Sequence, residues 1–245
     1  MDEERDTLFE SGKADPFQFD ERVSRVFADM IARSVPGYGL FLEVLAVLAR
    51  RYVHDGAHVY DLGCSLGASS LAILDATNER RVRLTAVDSS AAMVGRARQA
   101  FEALSCPQHD VSVVEADIRR ITFDQPQFVV LGFTLQFLEP STRRELLERI
   151  AAAMPAGGAL VLAEKVHFDA SDTQRLQTEL HLEFKRLHAY SEMEIAGKRQ
   201  ALENVLVTDT AAAHGARLRD SGFARVTPVL QAFNFITLLA ERDGA

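Results

Sequence analysis

The sequence is poor in cysteine, with only Cys64 and Cys106 in 245 residues, and has no tryptophan. Two cysteines cannot build a disulfide framework, and neither lies in a C-x-x-C pair or Cys/His cluster, so a reducing cytoplasm is expected and structural zinc is not. Of seven histidines, only His181 and His188 share a predicted helix, and their spacing is too wide for i, i+4 metal pairing. No metal is expected. Positive charge is also short: 27 Lys and Arg against 35 Asp and Glu leave a formal charge of −8. That balance argues against a broad phosphate-neutralising surface, and direct nucleic-acid binding is not expected. A small anionic ligand needs only a few local cations and stays open. No run approaches the ~18 apolar residues of a membrane span. The opening MDEERDTLFESGKADPF is acidic where a signal peptide is basic and then apolar. Neither export nor membrane insertion is expected.

What is present is 47% apolar residues, enough to fill a substantial core. After a polar start, Phe17, Phe19, Val23, Phe27 and Met30 recur at spacings that predict a short strand or turn followed by an amphipathic helix with Asp20 as N-cap. Val35-Pro36-Gly37-Tyr38-Gly39 ends that helix, and Leu40 to Tyr52 resumes the pattern. From Ala57, short apolar runs (HVYDL, VRLTAV, VSVVE, FVVLGF, ALVLAE) alternate with helical stretches, which predicts βαβ units and a parallel sheet with helices on both faces. Ser171 to Val207 is helical throughout, with Leu176, Leu180, Phe184 and Leu187 on one stripe and Ser171/Gln174 resembling a capping box. After a helix at Thr210 to Asp220, RVTPVL and FNFITLLA are so closely connected that they must pair antiparallel, placing one reversed strand in the sheet. A single domain over 1–245 is expected, with an N-terminal helical extension at about 16–52 and a helical insertion or lid at about 171–207.

The richest stretch is Tyr60-Asp61-Leu62-Gly63-Cys64-Ser65-Leu66-Gly67-Ala68, where a strand closes and a helix opens. Gly63 and Gly67 allow close backbone approach to a ligand, and the helix N-terminus offers unpaired N–H groups. Such a turn alone is equally an ordinary βα connection. The second strand ends in Asp88, suited to accept from the two hydroxyls of a ribose, and Asp117-Ile118 after the third could meet an adenine amino group and ring. Each Asp singly reads as a loop residue or cap. Acidic tips at Asp61, Asp88 and Asp117 on one sheet edge are harder to explain that way.

D-L-G-C-S-L-G, then V-D, then A-D-I at successive strand ends resemble class I S-adenosylmethionine-dependent methyltransferases. Further segments narrow this: Arg33 to Tyr38 (RSVPGY), YDLGCSLGA, FTLQFLEPS (Phe133 to Ser141), GGALVL, Tyr190-Ser191-Glu192 and KR-x-x-LENV (Lys198 to Val205). Together they resemble the carboxy-S-adenosylmethionine synthase family over about Arg5 to Leu239. The resemblance implies an α/β, Rossmann-like fold with a mostly parallel seven-stranded sheet containing one antiparallel strand. It also implies that S-adenosylmethionine is both cofactor-like ligand and substrate: prephenate supplies a carboxyl group, phenylpyruvate is released, and carboxy-S-adenosylmethionine is the product. A partner tRNA carboxymethyltransferase then uses that product on the wobble uridine, and family members are homodimers.

The contact positions that the resemblance carries over are Tyr38, Gly63, Cys64, Ser65, Asp88, Ser89, Asp117, Ile118 and Gly132, with Arg199 at the added carboxylate. Two depart from the family: Ser89 and Gly132 each stand where the family has Asn, and Gly132 removes an amide near the ligand's amino-acid end. The implied chemistry passes through a sulfonium ylide, which water would quench, so Ser171 to Val207 is expected to cover the site or to be contributed by a second subunit. Read bottom-up, Arg199 presents a planar donor pair to a new carboxylate, or is simply a surface Arg. Tyr38 reaches a cofactor carboxylate or packs half-buried. Cys64 at a helix N-terminus is a weak candidate nucleophile. Gln136, Glu139 and Lys165 lie near the same edge without an assigned role. A small-molecule methyltransferase and a non-catalytic carrier of the ligand are the alternative functions.

Overall fold

A computed structural model describes residues 5–10, 17–104, 108–203 and 205–244. Cys106, and Asn204 within KR-x-x-LENV, lie outside these. Asp20 caps helix α1 (Glu21–Ser34) as its sequence position predicts, its carboxylate accepting from the Val23 N–H at 3.0 Å. Pro36 and the left-handed Gly37 (φ 76°) then turn the chain by 94° into α2 (Tyr38–Tyr52). That helix begins at Tyr38 itself, two residues earlier than the pattern suggests. No single helix among the described residues is long and apolar enough to cross a membrane.

Seven strands form one sheet: β1 (His58–Leu62), β2 (Arg83–Asp88), β3 (Asp110–Glu115), β4 (Pro126–Gly132), β5 (Ala159–Lys165), β6 (Arg225–Ala232) and β7 (Phe235–Glu241). Their order is β3-β2-β1-β4-β5-β7-β6. Only β7 is reversed, antiparallel to both β5 and β6. Phe233 and Asn234 alone join β6 to β7, too short a link for a crossover. The central strands are buried on both faces, hence their unbroken apolar runs. Val59, Leu84, Phe128 and Val161 pack in one core with Leu45 of α2 and Ile73 of α3 (Ala68–Ala76). Tyr60, Val129, Leu160 and Leu238 pack in the other with Leu147 of α5 (Pro140–Ala153) and Leu218 of α8 (Ala211–Asp220). A fully buried Leu or Ile contributes ~1.5–3 kcal/mol, so these two layers hold the sheet's carboxyl edge in fixed register. α4 (Ala91–Ala103) follows β2 and packs on α1 through Met93, Met30 and Val26.

The helical stretch after β5 resolves into α6 (Ser171–Leu187) and α7 (Glu192–Ala201). The capping box is not at Ser171/Gln174: α6 follows Ala170 without a side-chain cap, and Gln174 Oε1 instead accepts from the Phe168 N–H at 2.9 Å. The box is at the start of α7, where Ser191 and Glu194 satisfy each other's backbone N–H groups. The apolar stripe of α6 is not a buried face of this chain either. Leu176 and Leu187 are exposed, and the buried residue of the helix is His181.

Candidate active site

The strand order reverses between β1 and β4, which opens a crevice beyond their carboxyl ends, the usual ligand position in open α/β sheets. Gly63 follows β1 with φ 81°, and a Cβ there would lie 2.3 Å from Thr134 Oγ1, so only glycine lets the loop after β4 close against this turn. Ser65 also takes a left-handed φ of 48°, which aims its N–H at Asp88 Oδ2 at 2.9 Å; Ser90 N–H donates to Asp88 Oδ1 at 2.9 Å. Burial pushes the Asp88 carboxyl up, and these amides oppose that. Asp117 is gripped by Arg119, Nη2 to Oδ2 at 2.6 Å and Nε to Oδ1 at 3.0 Å, which holds its carboxyl below the ordinary value.

Asp61 does something else. It is buried and accepts from the Ser70 N–H at 3.1 Å and the Ser70 hydroxyl at 2.7 Å, pinning the first turn of α3 to β1. Burial pushes it up to about 6. Of the three acidic tips, Asp88 and Asp117 border the crevice and Asp61 supports the turn behind it.

The crevice is a cavity of about 720 Å³, in the range of small-molecule sites. Phe41, Phe133 and Phe235 with Tyr38 form an aromatic wall, Phe41 and Phe133 edge to face at 5.2 Å and Phe133 and Phe235 at 6.0 Å. Beyond it lie Lys165 at the end of β5, His181 and Lys185 on α6, and Lys198 on α7. The cavity thus has Asp88 and the Asp117–Arg119 ion pair on its β2 and β3 side and the amines of Lys165, Lys185 and Lys198 on its β5, α6 and α7 side. Lys198 is tied into a buried network, 2.7 Å from Ser34 Oγ, 3.3 Å from Tyr190 Oη and 3.7 Å from Asp6. Burial pushes its ammonium down to about 7. His181 donates through Nε2 to the Ser34 carbonyl at 2.9 Å, and burial pushes it down to about 3, leaving it neutral.

Two buried polar side chains shape the loop over this cavity. Glu164 accepts from the N–H groups of Leu135 (2.7 Å) and Gln136 (3.1 Å), fixing the 3₁₀ turn Leu135–Phe137. Fully buried Arg143 donates to the carbonyls of Leu138 and Val207 and pairs with Asp209 at 2.8 Å. Gln136, flagged from sequence without a role, clamps the same loop to β5: its Nε2 donates to the Phe133 carbonyl and its Oε1 accepts from the Lys165 N–H. Glu139 is exposed and outside the cavity.

Tyr38, Gly63, Cys64, Ser65, Asp88, Ser89, Asp117, Ile118 and Gly132 all line the cavity. Arg199 does not. On α7 the buried positions Glu194, Ile195, Lys198 and Ala201 face inward, and Arg199, one residue round from Lys198, is exposed. Its charge still bears on Lys165, so it lies near the rim. The inward cation of KR-x-x-LENV within one chain is therefore Lys198. Cys64 is buried, and burial with Asp61 and Asp88 close by pushes its thiol up, which argues against a thiolate nucleophile there. At Gly132 a Cβ would make ordinary van der Waals contact, 3.4 Å from Phe41 Cζ and 3.6 Å from Ser69 Oγ. Lys185 escaped the sequence reading, and His181 was weighed there only as a metal ligand, although their i, i+4 spacing puts them on one helix face.

The chain matches the methyltransferase domain family over residues 59–158, which holds the glycine turn and β1 through β4. Among solved structures it resembles an O-methyltransferase family protein from Burkholderia thailandensis, with TM-score 0.65 and 17% identity over 94% of this chain and 65% of that one. It also resembles a magnesium protoporphyrin IX methyltransferase from Synechocystis with bound SAM, with TM-score 0.57 and 17% identity over 84% of this chain and 80% of that one. These likenesses show the S-adenosylmethionine-dependent methyltransferase fold. The curated carboxy-S-adenosyl-L-methionine synthases of Salmonella typhimurium and Salmonella typhi are each 46% identical over 98% of both chains. The chain belongs to the carboxy-S-adenosyl-L-methionine synthase family. It is a transferase of that family on the methyltransferase fold, and the aligned length includes α6 and α7, which complete the cavity with cations.

Proposed function

We propose that this synthase converts S-adenosylmethionine and prephenate to carboxy-S-adenosylmethionine and phenylpyruvate in the cytoplasm, for use by a tRNA carboxymethyltransferase acting on the wobble uridine. The observation that carries the reading is end-to-end similarity to synthases of that name, joined to a cavity with Asp88 and the Asp117–Arg119 pair at one end and buried amines at the other. The residues divide the work accordingly. Asp88 accepts from the ribose hydroxyls, Asp117 from the adenine amino group, and Ile118 packs on the ring; Gly63, Cys64, Ser65 and Ser89 offer backbone and short polar groups; Tyr38 and the backbone at Gly132 border the amino-acid end. Bound sulfonium supplies an acidified methyl group. The aromatic wall of Phe41, Phe133 and Phe235 keeps water from it, because a carbanion there is lost on reprotonation. The exchange balances as one carbon–carbon bond broken in prephenate and one formed at the methyl carbon, the ring hydroxyl and the methyl proton leaving together as water.

Arg199 holds the added carboxylate in this reading. Exposed in its own chain, it is available across a two-fold contact, and the exposed Leu176, Leu187 and Met193 of α6 and α7 are the apolar surface a homodimer would cover. Incubating the protein with S-adenosylmethionine and prephenate is expected to release phenylpyruvate and yield a nucleoside heavier by carbon dioxide. Methylated product instead would favour a small-molecule methyltransferase, and ligand binding without turnover a carrier. Arg199→Ala is expected to weaken the carboxylated ligand by ~2–5 kcal/mol and plain S-adenosylmethionine little. Equal loss for both in calorimetric titration would remove the assignment.

A further inference from the structure

Two cations in the cavity are left without a counter-charge. Lys165 closes β5 and Lys185 lies one helical turn beyond His181; both line the cavity at its β5 and α6 side. Among the described residues neither ammonium has a hydrogen bond or a carboxylate within 4 Å, whereas Lys198 beside them has Asp6, Ser34 and Tyr190. Their surroundings do not relieve them. Burial and Arg199 push Lys165 down; burial and Lys165 push Lys185 down to about 8; and His181, neutral, offers no negative charge. Two like charges half out of water, facing the same space, are a standing demand for an anion.

We propose that Lys165 and Lys185 seat the carboxylate that prephenate keeps, the one on its pyruvyl side chain, and not the one it loses. The assignment rests on the reaction proposed above and extends it to the residues that bind the second substrate. Prephenate carries two carboxylates. The ring carboxylate gives up its negative charge as its carbon–carbon bond breaks, so an ammonium pair clamped on it would hold the ground state more tightly than the transition state and slow the step. The side-chain carboxylate keeps its charge throughout, and holding it fastens the substrate without that penalty. Its seat at Lys165 and Lys185 leaves the departing carboxylate for the aromatic wall of Phe133, Phe235, Phe41 and Tyr38, where poor solvation favours neutral carbon dioxide over the anion.

Phenylpyruvate is the discriminating probe, because it retains only the side-chain carboxylate. With protein saturated in S-adenosylmethionine, Lys165→Gln and Lys185→Gln are each expected to weaken phenylpyruvate binding at least tenfold by calorimetry. They should raise the KM for prephenate similarly and leave S-adenosylmethionine affinity within about twofold, and Lys185→Arg should restore most of the loss. Unchanged phenylpyruvate affinity with a raised prephenate KM would place the departing carboxylate on the lysines and overturn the proposal. A main loss in S-adenosylmethionine affinity would assign them to the methionine carboxylate and overturn it equally. Should the glutamine variants fail to fold, wild-type protein still decides: phenylpyruvate titrated near pH 8 in buffers of differing ionisation enthalpy must show proton uptake, and none refutes the seat. If wild type makes no phenylpyruvate from prephenate, the reaction assignment fails, while the binding measurements still judge the lysines.

Discussion

Glu164 is the residue whose loss should be felt furthest from itself. Both its oxygens accept backbone N–H groups of the turn over the cavity, and burial pushes its carboxyl up to about 8 against that pull. Above about pH 8, where the carboxyl is ionised, Glu164→Gln turns one acceptor into a donor facing a buried N–H, which costs about 2–3 kcal/mol and lowers the melting temperature measured there by roughly 4–12 °C in a chain of this size. Calorimetric melting checks this; an unchanged midpoint would mean that the turn is held elsewhere. Gly132 offers the opposite experiment. Its backbone lies outside the left-handed region, and a Cβ meets Phe41 and Ser69 at 3.4 and 3.6 Å, so Asn needs at most a small adjustment of the Phe41 ring. One added amide contact is worth about 1 kcal/mol, so Gly132→Asn should tighten S-adenosylmethionine roughly fivefold in titration. The glycine turn and the positions of Asp88 and Asp117 at the crevice were legible from spacing, whereas Asp61, grouped with them, binds Ser70 behind the turn. Glu164 and Arg143 were not legible, because neither a charge near the end of an apolar strand nor one in a charged helical stretch says whether it points to solvent or to a buried backbone group.

At the scale of elements, α6 and α7 show where pattern reading succeeds and where it slips. Their existence follows from periodicity, but the apolar stripe of α6 suggested a buried face, and the face turned to the cavity carries His181 and Lys185 instead. A stripe records which side is apolar, not which side this chain covers. KR in α7 hid a similar ambiguity: adjacent residues on a helix differ by about 100°, so Lys198 points in and Arg199 out. A pH dependence follows from the cavity face. Lys185, pushed down to about 8, is faced by Lys165 from β5, neutral His181 from its own helix and, from α7, Lys198 at about 7, with Asp6 behind Lys198. The protonated amines attract a carboxylate and the neutral ones do not. Affinity for phenylpyruvate should therefore be full below about pH 7 and fall as pH rises through about 8, and Lys185→Arg should shift that fall to higher pH. A flat profile between pH 6 and 9 would show that Lys185 does not carry the anion.

The whole molecule was legible in its sheet: alternating runs give parallel strands, and a two-residue link between the last two runs forces β7 to reverse. Assembly was not legible, because a surface stripe has the same pattern as a core stripe. Leu187 is 82% exposed and Leu176 52% exposed, with Met193 on α7 also exposed, while Arg199 on that helix is outside its own cavity. Water contact over several large apolar side chains is unfavourable by about 25 cal/mol per Å², and a contact between two copies removes it while giving Arg199 a neighbour's cavity to enter. Light scattering is expected to find a dimer. Leu187→Glu places a charge on the stripe and should shift the protein toward monomer without lowering its affinity for plain S-adenosylmethionine, whose proposed seat is at the β1 and β2 edge. Affinity for the carboxylated ligand should fall with the dimer fraction if Arg199 acts across the contact. A monomeric variant that retains tight binding of that ligand would mean that Arg199 reaches the carboxylate from its own rim, or that another cation holds it.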